Sequence, residues 1–109
     1  MTFAEIITMM DDIKALTSAE YAYDHFAEGE APNPPFICFL MPESRDFIAD
    51  DTNYFKQREL DIELYTDAKN PGLEELIEAE LENYEFVYSK TETWIESERL
   101  YEVLYEMTV

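Results

Sequence analysis

The sequence predicts an α+β fold, a mainly antiparallel sheet with two helices packed on one face, formed by a single domain over residues 1–109. Three observations carry that expectation. Apolar residues recur at helical spacing in two segments, they alternate at strand spacing in others, and the order along the chain is helix, strands, helix, strands. Composition adds that the chain folds at all: 26 acidic residues against 7 Lys and Arg give a formal charge of -19, yet 47% of residues are hydrophobic and 15% aromatic. That is far too much apolar surface for a solvated acidic tail.

The first helix begins at Thr2-Phe3-Ala4-Glu5, whose spacing is that of a capping box, with Met1 able to staple onto Ile6. Phe3, Ile6, Ile7, Met10 and Ile13 give it one apolar face as far as about Leu16. A short strand is expected within Glu20 to Phe26, where Tyr21 and Tyr23 alternate with smaller or charged neighbours. Gly29, Pro32, Pro34 and Pro35 then break regular structure. Phe36 to Met41 is apolar at consecutive positions, so this strand wants cover on both faces.

Leu60, Ile62 and Leu64 alternate with Glu59, Asp61 and Glu63 in a half-buried strand ending near Tyr65. Asn70 as cap and Pro71 at the first helical position open the second helix, whose stripe is Leu73, Leu76, Ile77, Leu81 and Tyr84. Phe86 to Ser89 is expected as a short strand. Arg99 to Val109 is a longer one, with Tyr101, Val103, Tyr105 and Met107 inward and Leu100 and Leu104 interrupting the polar face. Two helices cover one sheet face, so Phe36, Phe39, Leu100 and Leu104 are the candidates for an interface that covers the other, with a partner subunit as the simplest cover.

No catalytic, cofactor-binding or metal site is expected. The chain has one histidine, His25, read as structural or solvated, and one cysteine, Cys38, read as an inert core thiol in the middle of an apolar strand. Two glycines provide no phosphate cradle. An EF-hand register from Asp50 would put Tyr54 and Phe55 where an oxygen ligand and the turn glycine belong, so Asp50, Asp51 and Asn53 are assigned to a turn between strands. Scattered cations outnumbered by acids argue against direct binding of nucleic acid or of an anionic membrane. The lone cysteine and an N-terminus without secretory features predict a cytoplasmic origin, and no apolar run approaches the ~20 residues that span a bilayer. Glu74, Glu78 and Glu82 stand at i, i+4 and i+8, and two readings stay open: a solvated helix face, or an acidic DNA mimic that inhibits a host nucleic-acid enzyme.

Several segments together carry a resemblance: Pro35-Phe36-Ile37, Phe47-Ile48-Ala49-Asp50-Asp51 with Tyr54, Asp61-Ile62-Glu63-Leu64-Tyr65-Thr66, and the ending Trp94 to Glu106. Over roughly residues 20 to 109 the chain resembles the small tail-completion proteins encoded in the head-to-tail region of long-tailed bacteriophages and prophages. The resemblance implies a tail terminator, a virion structural protein without enzymatic activity. Such subunits form a ring, often a hexamer, that caps the tail tube and joins it to the head connector, so the implied partners are further copies of the chain, the tail tube protein and connector proteins. The implied location is the host cytoplasm during assembly and then the virion. Another neck component of the head-tail junction is the alternative within the same biology.

Overall fold

A computed structural model describes residues 1–49 and 53–109, with 45–49 and 53–56 described by their backbone. The elements run α1 (Phe3–Thr17), β1 (Glu20–Tyr23), β2 (Phe36–Leu40), β3 (Ser44–Ala49), β4 (Asn53–Thr66), α2 (Pro71–Asn83), β5 (Tyr88–Ile95) and β6 (Leu100–Thr108). The fold is α+β. The strand order is β1-β2-β4-β6-β5, with β3 paired to β4 beyond that path. All pairings are antiparallel except β1 with β2, which the loop through Pro32 and Pro35 makes parallel by returning the chain to the same end of the sheet.

Both helix starts form as their sequences dictate. The Thr2 hydroxyl accepts from the Glu5 amide at 3.2 Å while the Glu5 carboxylate accepts from the Thr2 amide at 3.0 Å, which ties two donors that the first turn would leave free. Asn70 Oδ1 accepts from the Leu73 amide at 3.1 Å, with Pro71 in the position where no amide is needed. At the other end α1 closes through Ser18 in the left-handed region, φ 61°, its amide reaching the Lys14 carbonyl.

Strand alternation sorts the sheet into two faces. Ile37, Phe39, Leu60, Ile62, Leu64, Val103, Tyr105 and Met107 join Ile6, Met9, Met10, Ile13, Leu73, Ile77 and Leu81 of the helices in one core. This is the face both helices cover. Phe39 belongs to it, 1% exposed and packed by the rings of Phe3, Tyr21 and Tyr23. Phe36 and Phe39 are an odd number of positions apart and so lie on opposite faces, a phase that a consecutive apolar run does not reveal. Phe39 is therefore a core residue and leaves the set of interface candidates.

Two strands are longer than their alternation suggested. β4 starts at Asn53, seven residues before the clean pattern at Leu60, because its first part pairs with β3 in a ribbon from Ser44↔Arg58 to Ala49↔Asn53. The strand expected at Phe86 to Ser89 begins instead at Tyr88 and runs to Ile95. Its Thr91, Glu92 and Thr93 are exposed on a sheet edge, where burial supplies no apolar signal. The aspartates Asp50 and Asp51 lie outside the described residues.

Polar contacts also fix α2 to the sheet. Glu74 is 3% exposed, and its two oxygens meet Lys69 at 2.7 Å and Lys90 at 2.8 Å. Lys90 reaches on to Glu78 at 2.9 Å, Glu78 accepts from the Tyr105 hydroxyl at 2.8 Å, and Lys69 also meets Glu92 at 2.6 Å. Burial pushes the Glu74 carboxyl up, but the two lysines outweigh it and hold it below the ordinary range. A buried charge left without its partner is strongly destabilising. Replacing Lys69 and Lys90 together by Met is expected to cost ~3–5 kcal/mol in urea unfolding, with either single replacement costing clearly less because one cation remains.

Candidate functional site

The sheet's second face is built from the alternate positions of the same strands. In register order it carries Phe36, Cys38 and Leu40 on β2, Asp61, Glu63 and Tyr65 on β4, and Leu100, Glu102, Leu104 and Glu106 on β6. Neither helix lies over it. Phe36, Leu40, Tyr65, Leu100 and Leu104 are half-buried, so the face is apolar without being closed. Of the sequence candidates, Phe36, Leu100 and Leu104 are here together.

One end of the face is a recess of about 240 Å³ whose apolar lining includes Phe26, Phe36, Cys38, Tyr65, Ile95 and Leu100. Phe36 stacks on Tyr65 with ring centroids 5.1 Å apart, and Phe26 meets the edge of Phe36 at 5.5 Å. The proline-rich loop thus supplies one wall. Cys38 is 4% exposed, and burial, with the nearby charges of Glu63, Asp24 and Glu102, pushes its thiol up to about 11. His25 stands at the rim with Nδ1 2.8 Å from Asp24, exposed to solvent.

Next to the recess the carboxylates crowd. Asp61 lies directly across from Glu106, and like charges in such a cross-strand pair repel. Burial, then the charges of Glu106 and Glu59, raise the Asp61 carboxyl above its ordinary value. The Tyr65 hydroxyl is 3.0 Å from Oε2 of Glu63 and 2.9 Å from Oε2 of Glu102. That hydroxyl has one hydrogen to donate. It can serve only one of the two carboxylates at a time, so both cannot be satisfied by it while ionised. Burial pushes Glu63 up to about 7, opposed by the Tyr65 hydrogen bond and assisted by the Glu102 charge.

The acidic row on α2 runs from buried Glu74 through half-buried Glu78 to exposed Glu82. Glu74 is buried between two lysines, and Glu78 is bound by Lys90 and Tyr105. Glu82 accepts from Tyr88 at 3.4 Å. Glu74 and Glu78 dock the helix while Glu82 stays exposed, so two of the three acids that suggested a DNA mimic are engaged within the chain. The strand expected from the sequence, Phe86 to Ser89, stops one residue short of Lys90; only the pairing of β5 with β6 brings Lys90 beneath the helix.

No family model matches the chain, and no curated protein sequence matches it. Among solved structures it is similar in fold to a chain from the virion of a native gene transfer agent (GTA) particle, with a TM-score of 0.66 at 12% identity, over 94% of this chain and 88% of that one.

The folded-state value of Glu63 lies above its unfolded value of about 4.5, so the folded protein holds the extra proton between pH ~4.5 and ~7. Stability from this group is therefore present at low pH and lost as pH rises to 7. Glu63→Gln keeps the hydrogen bonds without the charge. In chemical unfolding at pH 8 it is expected to be more stable than the parent by about 1 kcal/mol, allowing for partial contact with water, and near parity at pH 5. Cys38 should react with a thiol reagent at least ~100-fold more slowly in the native protein than in denaturant, which an absorbance assay follows directly.

Proposed function

We propose that this protein is a virion structural protein of the tail-terminator type, from a phage or prophage. It forms a ring that caps the tail tube and joins it to the head connector. The observation that carries the reading is the fold shared with a GTA virion chain across nearly the full length of both. The resemblance of Phe36, Asp61 to Thr66 and Trp94 to Glu106 to tail-completion proteins agrees with it, although 12% identity to that chain speaks to fold alone.

Physical features support assembly as the task. One apolar sheet face is covered by helices and the other, bearing Phe36, Leu100 and Leu104, is left for another subunit. A charge of -19 suits a channel wall through which DNA passes without adhering. The same charge makes subunits repel, so assembly is under salt control. At ~0.01 M ionic strength the Debye length is about 30 Å, larger than the molecule's two shorter extents of 28 and 23 Å, and at ~0.15 M it is about 8 Å.

Light scattering is expected to show monomer at low ionic strength converting, as salt and protein concentration rise, to one closed species with a central opening in electron micrographs. Leu104→Glu should hold the protein monomeric with an unchanged circular dichroism spectrum. A wild type that stays monomeric at high salt and concentration contradicts autonomous ring formation. Stoichiometric, salt-reversible inhibition of a DNA-binding enzyme would favour the mimic instead.

A further inference from the structure

The second sheet face carries two of its acids among its apolar side chains. Cys38, Glu63 and Leu104 are register partners across β2, β4 and β6, and the next row is Phe36, Tyr65 and Glu102. Glu63 therefore lies between Cys38 and Leu104, while Glu102 lies between Leu100 and Leu104 along β6. Any cover that reaches Leu100 and Leu104 also reaches these two acids.

The pair depends on one donor. The Tyr65 hydroxyl stands 3.0 Å from Glu63 and 2.9 Å from Glu102, and its ring is held by stacking on Phe36. One hydrogen serves one carboxylate at a time. Among the described residues no cation bonds either acid: Lys14 pairs with Glu20, Lys69 and Lys90 with the carboxylates at α2 and β5, and Arg99 with Glu96. The charged groups facing the pair or the adjoining recess are Asp61 on β4, Glu106 on β6, Asp24 after β1 and Glu98 in the turn before β6. From β2 comes the Cys38 thiol, and β5 presents Thr91 and Thr93 without charge. His25 stands at the rim.

In the free chain burial first, and then the charge of Glu102 working against the Tyr65 hydrogen bond, pushes Glu63 up to about 7. A second copy laid over this face removes water from the pair and brings further negative charge toward it, since each chain carries -19. Both changes favour the protonated carboxyl still more.

We propose that the cluster of Glu63, Tyr65 and Glu102 is a proton site that links assembly to pH: covering the second sheet face with another copy takes up one proton at this pair. The inference rests on the assembly reading and adds its regulation. Below about pH 7 the free chain already holds the proton, so association need not acquire it. At higher pH the free chain has released it, and each contact must draw one from solvent. For one proton the association constant then falls about tenfold per pH unit for each contact. Ordinary carboxylates titrate near ~4 and add little in this range. Histidine is the other side chain that changes charge there, so the imidazole at the rim requires its own control.

Sedimentation velocity of the full chain at ~0.15 M salt, from pH ~6 to ~8.5, reads the linkage. Wild-type association is expected to vary little up to pH ~7 and to weaken about tenfold per unit above it. Glu63→Gln carries a neutral amide at every pH, so it should associate at pH ~8.5 as strongly as the wild type at pH ~6. Glu106→Gln removes a charge from the same face but leaves the cluster; association should strengthen with the slope kept. His25→Gln should also keep the slope. Circular dichroism establishes that each variant is folded. If Glu63→Gln is not, Glu102→Gln replaces it: ending the competition for the Tyr65 hydrogen should start the fall at lower pH. A wild type that associates equally at pH ~6 and ~8.5, or a slope that survives Glu63→Gln, overturns the proton site and leaves the assembly reading standing. A slope lost in His25→Gln or Glu106→Gln overturns it too, by assigning the linkage elsewhere. A wild type that is monomeric at every pH and at high salt overturns both.

Discussion

Everything in this structure works against a surplus of negative charge, and the few cations decide where the chain holds together. With 26 carboxylates and 7 lysines and arginines, most acids have no cation to meet. Two of the seven, Lys69 and Lys90, converge on Glu74 beneath α2, where burial makes an unpaired charge most costly. That network, extended through Glu78 to the hydroxyl of buried Tyr105, fixes the second helix over β5 and β6. One sheet face is thereby closed. The other keeps its carboxylates close to one another, and burial first, then their mutual repulsion, raises the affinity of Asp61 and Glu63 for protons.

The two faces therefore have distinct tasks. The helix-covered face contains the core and supplies stability through Ile37, Phe39, Ile62, Leu64 and Val103. The opposite face mixes Phe36, Leu100 and Leu104 with acids, so it neither dissolves comfortably nor closes by itself. The proposed assembly requires such a surface to be tolerable in the free chain and better covered between copies. Shared protons and salt provide that adjustment: acid or ionic strength weakens repulsion at the same side chains that border the apolar recess.

Much of the fold was legible because its signals are local. Thr2 with Glu5, and Asn70 with Pro71, state where each helix starts, and the alternation of Leu60, Ile62 and Leu64 states which side of β4 is inward. What stayed hidden depends on partners remote in sequence. The run Phe36 to Met41 gave no phase, so Phe39 could be placed inside only once Ile62 stood opposite it. β5 is polar and exposed along most of its length, and the buried state of Glu74 depends on Lys90 of that strand. Of the candidate surface, Leu100 and Leu104 were legible as interruptions of a polar pattern, whereas the proton-sharing cluster of Glu63, Tyr65 and Glu102 requires the β4–β6 register.

The central claim is that the second sheet face is covered by another copy when the protein assembles. Hydroxyl-radical footprinting of the wild-type chain at low and at high salt reads this surface side chain by side chain. The account predicts that Tyr65, Leu100 and Leu104 become protected in the high-salt assembly while Trp94, 39% exposed on the helix-bearing side of the sheet, keeps its reactivity. Unchanged reactivity at Tyr65, Leu100 and Leu104 in an assembled sample would contradict it.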